Sequence, residues 1–208
     1  MAEPNPARPL APLTLTLAIT GASGALLARI ALDLLDRDDR VGHIDLVPSP
    51  HGIRVASEEL GIAAGPVNEF PLRLLGRPSA KIQVHDNRNI GANIASGSYP
   101  CRGMIVLPCS MGTLSAIAHG AADSLIERSA DVCMKERRPL LLALRETPLH
   151  RIHLVNMLAA HDAGATLFPV MPAFYDQART LQAAGHQFVC RMLAHLGLEQ
   201  ASAFQWQG

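Results

Sequence analysis

Lysine is nearly missing from this chain: Lys81 and Lys135 stand against sixteen arginines. Net charge is missing too, since 18 basic side chains balance 18 acidic ones. No excess of either sign supports a nucleic-acid or anionic-membrane surface. The four cysteines, Cys101, Cys109, Cys133 and Cys190, lie far apart, with no CxxC pair and no clustered histidines. That fits reduced, mostly buried thiols in the cytoplasm better than a disulfide framework or a zinc site. The opening MAEPNPARPLAPLTLTL is proline-rich and carries no basic stretch ahead of a long apolar core. Residues 1–12 are therefore expected to form a flexible arm rather than a signal peptide. No apolar run reaches the roughly 18 residues that a membrane helix requires. Internal repeats and low-complexity segments are absent.

What is present is an alternation. Residues 13–20, 44–48, 81–85, 103–107, 139–144 and 165–169 read as strands. Helices are expected over residues 25–35, 51–60, 111–119, 122–137, 149–163 and 180–196. Residues 61–79, punctuated by Pro and Gly, read as an irregular surface excursion. Continuous apolar strands alternating with helices imply a Rossmann-like α/β three-layer sandwich, its mainly parallel sheet covered on both faces. The length of 208 residues suits one domain with a sizeable core, expected over residues 13–208.

Such sheets bind ligands at the C-terminal ends of their strands, near a topological switch point. That rule selects TGASG, PSPHG, PCSMGT, RET and PAFYD, each of which follows an expected strand. In TGASG the glycines permit a tight turn, and the following helix offers amide donors to an anion or polar ring. It is not GxGxxG, and no acidic residue clearly caps the second strand, so a dinucleotide site is weakly supported. An ordinary turn with Ser23 as helix N-cap is the alternative. In PCSMGT, Ser110 and Thr113 add hydroxyls to a helix start, a combination suited to phosphate. A simple capping turn is its alternative. Cys109 has no identifiable base beside it. The ASGS segment, residues 95–98, is a small flexible loop with little meaning by itself.

The run KERRPLLLALRETPLH brackets an apolar strand with charges at both ends. Arg145 and Glu146 follow the strand, where a guanidinium can hold a phosphate and a carboxylate can move a proton. Exposed ion pairing is the alternative. Lys135 to Arg138 suits a helix C-terminus favoured by the macrodipole. Tyr175 and Arg191 are too distant in sequence to be linked by spacing. The nine histidines show no metal-ligand spacing; His150 and His153 share a helix without a third ligand, and His85 is uncommitted.

Taken together, TGASGA, ASGS, PCSMGTLSAIAHGAADSLIERSADVCMKERRPLLLALRETPLH and PAFYDQ resemble the UbiX-type flavin prenyltransferases, within the homo-oligomeric flavin-containing Cys decarboxylase fold superfamily. The likeness is densest over residues 95–177. It implies transfer of a dimethylallyl group from dimethylallyl monophosphate to N5 and C6 of reduced FMN, with no metal. It further implies a dodecamer with sites at subunit interfaces and a UbiD-type decarboxylase receiving the prenylated FMN. By that resemblance Gly21, Ala22 and Ser23 form the first flavin-binding turn, and Ser49 is a further FMN contact. Ser110, Met111, Gly112 and Thr113 form the phosphate loop, and Arg145 binds FMN. Lys135, Tyr175 and Arg191 clamp the prenyl phosphate, with Arg128 and Trp206 nearby. Glu146 carries the proton, and Ser23 lies near the reacting flavin edge. Lys135 precedes the strand that Arg145 follows, so it is expected to serve a neighbouring subunit's site. Two positions depart from the family's habit: Pro50 follows Ser49 where lysine is usual, and Asp176 follows Tyr175 in place of histidine. An FMN-dependent cysteine decarboxylase is the alternative, but the PxMN motif of those enzymes is absent. A flavin carrier without chemistry is a second alternative.

Overall fold

The structure, a computed structural model, describes residues 11–175 and 178–205. Trp206 and Asp176 lie outside them, as does the expected arm apart from Ala11 and Pro12. Six strands form one sheet: β1 (Leu13–Ile19), β2 (Val41–Pro48), β3 (Ile82–Val84), β4 (Met104–Cys109), β5 (Leu140–Leu144) and β6 (Thr166–Pro169). All pair in parallel, in the order β3-β2-β1-β4-β5-β6. The helices are α1 (Ala25–Arg37), α2 (Pro50–Leu60), α3 (Phe70–Leu75), α4 (Met111–Ala118), α5 (Leu125–Lys135), α6 (Arg151–Asp162) and α7 (Leu181–Ala194).

The strands are apolar on both faces because both faces are covered. Leu15, Leu17 and Ile19 of β1 join Leu141 and Ala143 of β5 in a core under α1, α3 and α7. Ala18, Met104, Val106, Leu140 and Leu142 point the other way, into a second core under α4 and α5. Alternation along each strand thus splits one apolar run between two cores.

Residues 61–79 are not the surface excursion expected of them. They contain α3, whose Phe70 is fully buried and whose Leu74 is nearly so. Arg77 and Ser79 then bond the carboxylate of Asp36 on α1, and Arg77 also reaches Asp33 at 2.8 Å. Six residues between Pro- and Gly-rich flanks carry too little periodicity to announce a helix, yet one buried aromatic anchors it.

The order reverses between β1 and β4: the chain proceeds outward to β2 and β3 on one side, then to β5 and β6 on the other. Thr20 joins the two strand ends at this switch point. Its hydroxyl donates to the Pro108 carbonyl at 2.8 Å and accepts from the Ser110 amide at 2.8 Å.

A buried polar network sits beneath β2. Asp45 is fully buried and accepts from the Tyr99 hydroxyl at 3.0 Å, with a ring nitrogen of His85 at 2.7 Å and of His43 at 3.3 Å. Burial, reinforced by the Asp45 carboxylate, pushes the Tyr99 phenol up to about 12. His85, uncommitted in sequence, is thus a structural partner of Asp45.

Candidate active site

The turn after β1 brings its residues to the switch point. Its glycine does not serve a Ser23 cap: the N-cap position of α1 falls on Gly24, at φ 117° and without a side-chain cap. The cap comes instead from Glu59 in the last turn of α2. Its carboxylate accepts from the Gly24 amide at 3.0 Å and the Ala25 amide at 2.8 Å. Ser23 also bonds Glu59, and Arg145 acts on it electrostatically. Desolvation tends to raise the Glu59 pKa, but the Ser23, Gly24 and Ala25 hydrogen bonds together with Arg145 outweigh it and hold the carboxyl below its usual value. An anion already occupies the N-terminus of α1. A ligand phosphate has to be held elsewhere.

The turn after β4 opens a second helix start. Ser110 is the N-cap of α4, its hydroxyl accepting from the Thr113 amide at 3.3 Å and lying 3.1 Å from the Thr113 hydroxyl. The capping turn read as the alternative in PCSMGT is thus present, and a capped helix start still directs its first amides outward. Room at Gly112 is ample, the nearest atom to an added Cβ being the Ser110 hydroxyl at 4.0 Å. Cys109 is wholly buried, and burial pushes its thiol up to about 12, which removes it as a nucleophile.

Ser49 caps α2 by accepting from the Gly52 amide at 3.0 Å, with Pro50 in the first helical turn. The departure at Pro50 thus has a local reason: its ring is preorganised for a helix start and its missing N–H is not needed there. Gly21 and Gly52 let α2 approach β1 closely; a Cβ on Gly21 would lie 2.6 Å from that of His51.

Ser23, Glu59 and Arg145 line a cleft of about 440 Å³ whose other walls are Leu26, Leu27, Val170, Pro172, Leu181 and Phe188. A mainly apolar cleft with a few convergent polar groups matches a flat ring system with polar edges. FMN fits that description. Phe188 also lines a second cleft, of about 480 Å³, that holds Tyr175 and Arg191. The two residues that spacing could not link therefore share one wall. Tyr175 is 56% exposed and faces Phe204, ring centroids 5.4 Å apart.

Arg128 and Lys135 line neither cleft. Both lie on α5, Arg128 donating to the Ala95 carbonyl at 3.2 Å and pairing with Asp131, Lys135 pairing with Glu136 at 2.5 Å. α5 leads into the N-terminal end of β5, while Arg145 and Glu146 leave its C-terminal end. Five strand residues separate the two by roughly 16 Å or more. Glu146 is exposed and accepts only from the adjacent Thr147 amide at 3.0 Å among the bonds found for it. One chain thus presents three groups, and it does not bring Lys135 and Arg128 to Arg145, Tyr175 and Arg191.

Sequence reasoning missed Glu59 and Thr20. Glu59 acts on residues 34 and 35 positions earlier, a relation that periodicity cannot reveal. Thr20 carried a weak signal, being the last residue before the glycine turn. His150 caps α6, its ring stacked 3.5 Å from that of His153. Among the described residues no group of three or more His, Cys, Asp or Glu is placed to hold a metal.

A profile of the flavoprotein family matches residues 4–186. The flavin prenyltransferase UbiX of Alkalihalophilus pseudofirmus is 40% identical over 92% of this chain and 95% of its own length. The crystal structure of AnUbiX (PadA1) in complex with FMN and dimethylallyl pyrophosphate matches with a TM-score of 0.83 at 39% identity, over 95% of this chain and 99% of that one. The dodecameric FMN-dependent UbiX-like decarboxylase from Escherichia coli O157:H7 matches equally well, with a TM-score of 0.83 at 38% identity over 94% of this chain and 100% of that one. The fold and the near-full-length similarity agree: this chain belongs to the flavoprotein family and, within it, to the UbiX flavin prenyltransferases.

Proposed function

We propose that the chain transfers a dimethylallyl group from dimethylallyl monophosphate to N5 and C6 of reduced FMN. The observation that carries this reading is the pair of clefts meeting at Phe188, one holding Ser23, Glu59 and Arg145, the other Tyr175 and Arg191. A flavin carrier would need the first alone. Reduced FMN, when bound, supplies the nucleophilic nitrogen and the ring edge to be alkylated.

The chain's own residues have separable tasks. The α4 turn, residues 110–113, holds the flavin phosphate through amides and hydroxyls, and Arg145 adds a cation beside the ring cleft. Ser23, bonded to Glu59, presents a hydroxyl at the cleft wall. Tyr175, Arg191 and Lys135 face the prenyl phosphate, where charge gathers on oxygen as its C1–O bond breaks. The apolar walls, Leu26, Leu27, Val170 and Phe188 among them, keep water from the allylic fragment. Glu146 accepts the proton lost on ring closure.

Lys135 and Arg128 come from a second copy. α6 supports assembly: Ile152, Leu154, Val155 and Leu158 are 51–64% exposed, and the helix buries only Asn156 and Ala160. Monomers rarely leave such a stripe in water. We assign the dodecameric arrangement to this chain, with a UbiD-type decarboxylase receiving the product. Four free cysteines suit the reducing cytoplasm, and among the described residues no helix is long and apolar enough to cross a membrane.

The test incubates protein, reduced FMN and dimethylallyl monophosphate without oxygen and weighs the extracted flavin. A gain of one C5H8 unit is expected. Flavin of unchanged mass refutes transfer, and an enethiol product from a peptidyl cysteine would install the decarboxylase reading in its place.

A further inference from the structure

The Lys135 ammonium stands against a wall made of backbone. A Cβ built on Gly97 would fall 2.2 Å from Oε1 of Glu136 and 2.7 Å from Nζ of Lys135. Gly97 is not among the glycines with positive φ, so alanine could adopt its backbone angles. What glycine provides here is space for the two side-chain tips and not a special conformation. The atoms that would be met are the tips of two flexible side chains, which can swing aside without disturbing the fold.

The wall is itself held. Arg138 donates one guanidinium nitrogen to the Gly97 carbonyl and the other to the Tyr99 carbonyl at 2.9 Å. Arg128 takes the Ala95 carbonyl at 3.2 Å. At its far end the segment is pinned by the Tyr99 hydroxyl on the buried Asp45 at 3.0 Å. Three carbonyls and one phenol thus press residues 95–99 onto the end of α5. The Lys135–Glu136 pair cannot do this alone. Its side chains are 44% and 37% exposed, and such pairs hold their geometry weakly.

We infer that Gly97 and Arg138 are positioning residues that set where the Lys135 ammonium stands, and so tune capture of the prenyl phosphate. The inference rests on the reading that Lys135 contacts that phosphate. Gly97 supplies the surface against which the ammonium rests, and Arg138 keeps that surface in place. Arginine suits the second role because its rigid planar fork aims two donors at the two carbonyls, where a lysine ammonium offers one rotating donor centre.

Steady-state prenylation of FMN, followed by product mass, tests this in the full assembled protein. Gly97→Ala is expected to leave the thermal midpoint within about 2 °C of wild type. It should leave FMN affinity and kcat nearly unchanged and raise KM for dimethylallyl monophosphate about tenfold. Arg138→Ala should raise the same KM, with Arg138→Lys recovering only part of the loss. Lys135→Ala should raise KM at least as far, and adding Gly97→Ala to it should change nothing more. A wild-type KM for Gly97→Ala overturns the inference, as does a Gly97→Ala effect that persists in full without Lys135. If Lys135→Ala itself leaves KM unchanged, the assignment of Lys135 falls and this inference with it.

Discussion

Replacing Gly52 by alanine adds one methyl group where the structure has no room for it. A Cβ at Gly52 would lie 2.4 Å from the Ile19 carbonyl oxygen, 2.9 Å from its carbon and 3.3 Å from Ile19 Cγ2. Carbon and oxygen approach to roughly 3.3 Å, so a displacement of about 0.9 Å is needed. No rotamer can supply it, because the obstacle is the backbone of the last residue of β1. The same oxygen accepts from the Ser49 amide at 2.9 Å. α2 must move as a body, and that bond stretches with it. Overpacking costs about 1–3 kcal/mol, and the weakened hydrogen bond adds about 1 kcal/mol. The helix propensity of alanine over glycine returns up to about 1 kcal/mol. The net loss is about 1–3 kcal/mol, or a fall of about 3–10 °C in Tm for a domain of this size. Because α2 carries Ser49 at one end and Glu59 at the other, FMN affinity should fall together with stability. Thermal unfolding and a flavin fluorescence titration read the two effects. A Gly52→Ala protein with wild-type Tm and wild-type FMN affinity would refute the close-approach argument.

Three other outcomes are expected. Arg137 sits at φ 53° just past α5, where the Arg138 amide returns to the Cys133 carbonyl at 2.8 Å; Arg137→Gly should stabilise by about 1 kcal/mol, seen as a higher urea midpoint. Glu59→Gln should destabilise by about 1 kcal/mol at neutral pH through loss of charge at the α1 N-terminus. The Glu59 pKa is depressed in the folded chain, so its contribution is present above the unfolded value near 4.5 and fades as pH falls through the folded one; wild type and variant should converge in acid. Leu158→Asp, on the exposed face of α6, should leave the subunit fold intact while light scattering reports smaller particles, and an undiminished mass would remove α6 from the assembly surface.

The sheet was legible because buried parallel strands are written as unbroken apolar runs, and GMIVL and PLLLAL leave little choice. β2 begins three residues earlier than expected, since Gly42 and His43 interrupt the apolar pattern while hydrogen bonding to β1 continues. β4 runs on to Cys109, past a proline that sequence reasoning takes as a stop. α3 was missed because a single buried Phe70 decides it. In the candidate site, the strand-end rule selected the turns after β1 and β4, yet it could not show that Glu59 closes the first of them. That fact depends on where α2 ends in space. The separation of Lys135 from Arg145 was legible, because chain order alone places them at opposite ends of β5. Chain order says nothing of Tyr175 and Arg191, which line one cleft because the segment after β6 and α7 both contribute to its wall.

The length of β5 has a genetic consequence. On the roles proposed above, a centre that needs both Lys135 and Arg145 draws them from different polypeptides, since roughly 16 Å or more of strand keeps them apart on one chain. Two subunits disabled separately, one at each position, would be silent when purified apart. Assembled together, they would regain turnover wherever an intact Lys135 meets an intact Arg145. The heritable unit and the catalytic unit are then different objects, and a defective copy can be repaired by its neighbour.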